Sequence, residues 1–300
     1  MRTRSLGSEH IVLQCKNALG ETPFWSGAEQ ALYWVDLRAP SLNRLKPASC
    51  EHRIWPMPDF CTGVVPAASG GVVVALRHTI AHFDPNSETL TQLTTIEPES
   101  RGNRLNETRC DPAGRLWVGS MRDYGAAISG ALYVVGSNLA PMEVLHHIRV
   151  PNSICWSPDG GILYFADTAE GHIRRYRFDC YSGELGEALA SIGHGIAGGA
   201  DGSAVDAEGY IWNARYGAGQ VVRISPEGRV VEVIEMPVTQ PTACAFGDDD
   251  LQTLYITTAS QRLEPRELAR QPLAGHLFKI RVRAPGLPEP AFRFQREEPS

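Results

Sequence analysis

The sequence predicts an all-β chain folded as a six-bladed β-propeller around a central channel. Three observations carry that expectation. Residues 199–212 read as a hairpin, with the carboxylate Asp201 near its start, a turn over 206–209 and a second apolar run opening at Ile211. Residues 151–163 and 104–116 repeat that layout. The first apolar residues after the turns are Leu32, Val72, Leu116, Leu163, Ile211 and Leu254, spaced 40–48 residues apart, the period of one four-stranded blade. One hairpin back from each stand Glu21, Thr62, Asn106, Asn152, Asp201 and Thr242, all polar and each opening a run that otherwise reads as core. The innermost strands of a propeller line its channel. A register position repeated round the ring therefore gathers these six side chains at one mouth.

The elements follow in order. Residues 1–10 read as a flexible arm. Residues 11–15 and 290–294 are two candidates for the strand that closes the ring and hides an edge. Blade one runs from 20 to about 56, with β-rich runs at 31–36 and 41–45. Blade two covers 61–93, around the β-branched run 71–75. The remaining blades are marked by paired runs at 116–120 and 131–135, 162–167 and 172–178, 210–214 and 220–224, and 253–258 and 275–280. Pro265, suited to a first helical turn, places a short helix in the insertion 260–273. No linker or low-complexity segment divides the chain, so residues 1–300 read as one domain, with a weakly structured tail after about 283.

Composition excludes several function classes. The net charge of −6 leaves no basic footprint for nucleic acid. No apolar run reaches membrane-spanning length, and residues 1–10 lack the apolar region of a secretory signal. Seven cysteines without a C-x-x-C pair form no disulfide framework. Cys110, Cys155 and Cys244 fall in inner-strand runs and read as small buried hydrophobes, which points to the cytoplasm. No serine lies in a G-x-S-x-G elbow, and the nine histidines avoid the six register positions. Nothing calls for an obligate protein partner.

Glu21, Asn152 and Asp201 offer two carboxylates and an amide oxygen, a hard donor set suited to calcium, magnesium or manganese better than to zinc or copper. Two carboxylates converging in one mouth repel, and one is driven neutral unless a cation sits between them. Thr62 and Thr242 read as ordinary strand residues. Arg104, two residues before Asn106, shares its face of the strand. It could bind a polyol or steady an oxyanion, or equally pair with Glu107 or Asp123. Trp25, Trp117, Trp156 and Trp212 read as packing between blades.

Residues 19–25, Leu-Gly-Glu-Thr-Pro-Phe-Trp, resemble the motif L-G-E-x-P-x-W that opens the regucalcin (senescence marker protein)–gluconolactonase–luciferin-regenerating family. Residues 103–106, 151–153 and 201–206 resemble its later motifs, in order and at blade spacing. The resemblance spans residues 19–280. It implies a six-bladed propeller with one divalent cation in the channel mouth, calcium first, with magnesium, manganese, iron and zinc as alternatives. It implies hydrolysis of sugar-acid lactones such as pentonolactones or gluconolactone to the free aldonic acid. By position, Glu21, Asn152 and Asp201 would hold the metal, and Arg104 and Asn106 would bind substrate hydroxyls. Asp123 is a candidate for an acidic substrate-binding residue, and Asp201 is chosen as general base. The chain departs from the family at 105–108, Leu-Asn-Glu-Thr, where an aromatic and Asn-Asp-Gly are usual, and at Ala200, where proline is usual. Competing expectations are a broader esterase or organophosphate hydrolase on the same fold, and a calcium-binding propeller without turnover.

Overall fold

Each repeat forms one antiparallel sheet, because four short β-rich runs are joined by tight turns and can pair only with their sequence neighbours. The structure, a computed structural model, describes residues 1–295. In blade one, Gly20–Ser26, Ala31–Asp36, Ser41–Lys46 and Glu51–Pro56 pair in that order. The second strand is buried throughout, whereas in the fourth only Trp55 is. Burial therefore falls from the ring's axis outward. The inner strands of the next five blades are Gly63–Pro66, Asn103–Cys110, Pro151–Trp156, Gly199–Val205 and Pro241–Gly247. Each contacts the inner strands of the two neighbouring blades, and Pro241–Gly247 returns to Gly20–Ser26, so the ring is closed.

Repeated side chains fasten the blades. Asp111 accepts the backbone N–H groups of Ala113 and Arg115 and, at 3.0 Å, the indole of Trp117. Asp206 does the same for Glu208, Tyr210 and Trp212. Each tryptophan is thereby held against the next blade. Trp117 meets Trp156 edge-on, Trp212 meets Phe246, and Trp25 stacks on Tyr255. Two other aspartates aim the start of an inner strand. Asp36 takes the N–H groups of Ala18 and Leu19, just ahead of Glu21. Asp167 takes those of Arg149 and Val150, just ahead of Asn152.

The two ends are more ordered than their composition foretells. Ile11–Leu13 closes the ring as the outermost strand of blade six, on Leu277–Arg281. The segment 290–294, the other closure candidate, joins no blade as a strand. The flexible arm expected over 1–10 is instead a strand, Arg2–Ser5, followed by a short 3₁₀ turn. It pairs parallel with Val230–Glu235 as a fifth strand on blade five. Arg4 pairs with Glu232 at 2.7 Å, and Leu6 is buried against Trp212, Val221 and Ile234. The tail after 283, expected to be weakly structured, crosses the channel where the inner strands finish. Its backbone bonds Ala207, Leu251, Pro66, Gly114 and Ser137, and Phe292 is fully buried. It covers a cavity of about 290 Å³ containing Cys110, Cys155 and Cys244. Residues 296–300 of that tail lie outside the described residues. The helix in the insertion is Pro265–Arg270. All seven cysteines are free thiols, and among the described residues no helix is long and apolar enough to cross a membrane.

Candidate active site

Glu21, Asn152, Asp201 and Thr242 lie second or third in their inner strands, Asn106 lies fourth in a longer one, and Thr62 stands one residue ahead of its own. All six therefore surround one mouth, opposite the tail. A bulge sits at this level in five of the six blades, with the pairing register shifting at Glu21/Phe24, Leu105/Thr108, Asn152/Cys155, Ala200/Ser203 and Pro241/Ala243. A bulge bends its strand and re-aims side chains. Thr22 and Ser153, immediately after Glu21 and Asn152, take φ of 44° and 56°. That conformation is costly for residues with a side chain, and for β-branched Thr22 most of all. Neighbouring blades hold both in place. Thr22 Oγ1 accepts the Val64 N–H, and Ser153 Oγ donates to the Asp201 carbonyl at 2.6 Å.

A chain of hydrogen bonds runs along one wall. Arg104 Nε donates to Asp123 at 2.8 Å, and its Nη1 donates to Asn106 Oδ1 at 2.6 Å. Asn106 Nδ2 donates to Asn152 Oδ1 at 3.0 Å. Asn152 Nδ2 in turn donates to Thr168 Oγ1. That hydroxyl gives its own proton to the Ala200 carbonyl at 2.7 Å, so it can only accept from Asn152. The amide is thus fixed with its oxygen toward the wall of Asn106. Arg104 Nη2 has no protein acceptor among the described residues and is not sealed from the channel. Asp123 also receives Arg38, at 2.7 and 3.2 Å. Burial works against its charge, but the two guanidiniums outweigh that and hold its pKa below its usual value.

The opposite wall is acidic. Glu21 keeps partial exposure to the channel but is enclosed by protein, and loss of hydration, reinforced by Glu107, raises its pKa against the pull of Arg104 and Arg109. Burial raises Asp201 as well, followed by the fields of Glu21 and Glu107. Asp201 Oδ1 accepts the Gly202 N–H at 3.1 Å, while Oδ2 takes no hydrogen bond from the described residues. Gly202 is required there, since a Cβ would lie 2.4 Å from that of Ala243 in blade six. Deeper in the channel Glu107 accepts the Ile154 N–H and lies 3.7 Å from Arg109. Burial pushes its pKa up to about 7. Two carboxylates short of hydration, Asp201 raised by the field of Glu21 and Glu21 by that of Glu107, with an amide oxygen on the facing wall, suit a hard divalent cation. Among the described residues no three His, Cys, Asp or Glu side chains converge as a metal cluster.

The six register residues are thus gathered at this mouth, with Arg104 and Asp123 bonded to one another beside Asn106. Thr62 and Thr242 are engaged elsewhere, bonding the carbonyls of Ala75 and Gly20. Sequence reasoning named Glu107 only as an ion-pair partner for Arg104, whereas it faces Arg109. It missed Thr168, Arg38 and Arg215. Arg215 donates to Asn213, which holds the Asp201 carbonyl at 2.8 Å. The signal for Thr168 was its place directly after Asp167, at the end of the strand that pairs with Asn152. Arg38 carried no local signal.

Comparison with known proteins follows from this geometry. Residues 19–260 match the family described as SMP-30/Gluconolactonase/LRE-like region. The chain is 35% identical over 285 residues to a Pseudomonas putida protein named 6-deoxy-6-sulfogluconolactonase, across 94% of this chain and 97% of that one. It is 29% identical over 275 residues to regucalcin from Oryctolagus cuniculus, across 87% and 90%. Among solved structures, a calcium-binding protein, regucalcin, from Agrobacterium tumefaciens str. C58 superposes with a TM-score of 0.93. The sequence identity there is 30%, over 98% of this chain and 99% of that one.

Proposed function

The chain belongs to the SMP-30/gluconolactonase/LRE-like family, and on that premise we propose that it is a hydrolase opening the ring of sugar-acid lactones to the free aldonic acid. One divalent cation, calcium first, is held by Glu21, Asn152 and Asp201. The observation that carries this reading is the meeting of the acidic wall, Glu21 and Asp201, with a wall on which Arg104 offers a donor and Asn106 Oδ1 an acceptor, at one mouth. A passive metal site has no use for the second wall.

Such a cation supplies Lewis-acid polarisation of a carbonyl and makes water more acidic. The protein's own groups do the rest. Asp201 Oδ2, which has no donor among the described residues, takes the proton of the attacking water as general base. Arg104 Nη2 donates to a ring hydroxyl or to the oxygen that gains charge as water adds. Asn106 and Asn152 are tied to each other, so the substrate wall and the metal wall keep a fixed distance. Asp123 holds the Arg104 fork in place between two arginines. The seven free thiols suit a reducing compartment.

The test is an activity panel of pentono- and hexonolactones against aryl esters and organophosphates. Preference for the aldonolactones supports the proposal. Preference for aryl esters or organophosphates replaces it with the broader hydrolase, and no turnover of any substrate replaces it with a binding propeller.

A further inference from the structure

Beside the mouth lies a separate cavity of about 310 Å³, lined by Phe60, Arg77, Arg101, Arg122, Asp123 and Tyr124. Its charge is unusual for this chain. Arg77 pairs with Asp59 at 3.2 Å, and Asp123 is shared between Arg38 and Arg104. Arg122 donates only its Nε, to the Tyr124 carbonyl at 3.1 Å. The rest of its fork, and the whole Arg101 side chain, have no protein partner among the described residues. Across the lining residues and their ion-pair partners, five guanidiniums face two carboxylates, a surplus of three positive charges in a chain of net charge −6. Gly102 makes room for this crowding, because a Cβ there would lie 2.1 Å from Arg122 Nη1. The Arg122 guanidinium thus rests on the backbone next to Arg101. Like charges gathered without a partner repel, and a multivalent anion relieves that repulsion.

The cavity adjoins the candidate substrate wall through one residue. Asp123 lines it and also holds Arg104, which reaches Asn106 and so Asn152. A sugar whose hydroxyls met Arg104 and Asn106 would extend its far end past Asp123. Resting on the lactonase reading above, we propose that this cavity binds a tetrahedral oxyanion, a sulfonate or a phosphate, carried on the lactone at the end remote from its carbonyl. Arg101 and Arg122 are its principal donors, since among the described residues neither guanidinium has an ion-pair partner, whereas Arg77 is paired with Asp59. Three oxygens of such a group match guanidinium forks better than an uncharged hydroxymethyl group does.

The experiment compares kcat and KM for gluconolactone with gluconolactone carrying a sulfonate, or a phosphate, at carbon 6. In the wild type the anionic lactones should show a KM lower by about tenfold or more, as charge-assisted hydrogen bonds give. The advantage should shrink as salt rises. Arg101→Ala with Arg122→Ala should bring the ratio of anionic to neutral kcat/KM toward one, and the double lysine variant should retain part of it. Whichever anion shows the larger ratio identifies the source of the oxyanion. Turnover of neutral lactone with no anionic preference, or a preference unchanged in the double alanine variant, overturns this inference and leaves the lactonase reading standing. If no lactone is opened at all, the lactonase reading falls. Calorimetry with gluconate and its 6-sulfonate and 6-phosphate forms then decides the cavity. Tighter binding of the 6-substituted acids, lost in the alanine variant, supports it, and equal or absent binding overturns it.

Discussion

Thr168 Oγ1 lies 2.8 Å from Asn152 Nδ2 and, together with the Asn106 amide on Oδ1, sets which way the Asn152 amide faces. Because the hydroxyl proton is committed to the Ala200 carbonyl, only the NH₂ end of Asn152 can turn toward it. Thr168→Val keeps the shape and removes the acceptor. The amide can then flip and present N–H toward the proposed cation site. Calcium affinity measured by calorimetry should fall about tenfold or more, with the circular dichroism spectrum unchanged. Unaltered affinity would show that Thr168 does not orient Asn152.

Glu107 gives a pH-dependent prediction. Its folded pKa is raised to about 7 by burial, above the usual glutamate value of 4.5. A group raised in this way favours folding below the unfolded pKa, and that contribution is lost as pH climbs through the folded pKa. Glu107→Gln keeps the acceptor for the Ile154 N–H and carries no charge. The stability of the glutamine variant relative to wild type should therefore be greater at pH 8 than at pH 5, by on the order of 2 kcal/mol. Urea unfolding of both proteins at the two pH values measures it. A difference that shrinks with pH would contradict the burial of a chargeable Glu107.

Gly202 tests the close approach of blades five and six. Gly202→Ala puts a methyl 2.4 Å from the Ala243 Cβ and 2.9 Å from its Cα, where backbone must move. Overpacking of this kind costs about 1–3 kcal/mol. The shift acts on Asp201, whose Oδ1 the Gly202 N–H holds. A lower thermal midpoint together with weakened calcium binding is expected. Loss of stability alone would separate the packing of Gly202 from the placement of Asp201.

Asp201→Asn distinguishes a base from a ligand. Asparagine keeps an oxygen donor of similar shape but cannot accept the proton. Lactone turnover at saturating metal, with occupancy checked by elemental analysis, should fall by about a hundred- to ten-thousand-fold. Near-normal turnover at full occupancy would reduce Asp201 to a ligand and turn the search to Glu21.

Much of this architecture was legible in the sequence because it repeats. The spacing of Leu32, Val72, Leu116, Leu163, Ile211 and Leu254 located six blades, and one step back found Glu21, Asn106, Asn152 and Asp201. What escaped depends on contacts between distant residues. The left-handed turns at Thr22 and Ser153 are held by Val64 and Asp201 of the neighbouring blades, and no local pattern marks them. Arg38 sits in an ordinary turn and acquires its role only by reaching Asp123 across 85 residues. The arm Arg2–Ser5 is too short and polar to read as a strand, and its order comes from Leu6 and the Arg4–Glu232 pair.

The central claim, that lactone opening depends on a cation held by Glu21, Asn152 and Asp201, is tested most directly by one measurement. The initial rate of aldonolactone opening by the wild-type protein, corrected for spontaneous hydrolysis, is followed in chelator and again as calcium, magnesium or manganese is returned. The account predicts a rate at background in chelator, restored when about one ion per chain is bound. An undiminished rate in protein shown by elemental analysis to be free of metal would contradict it.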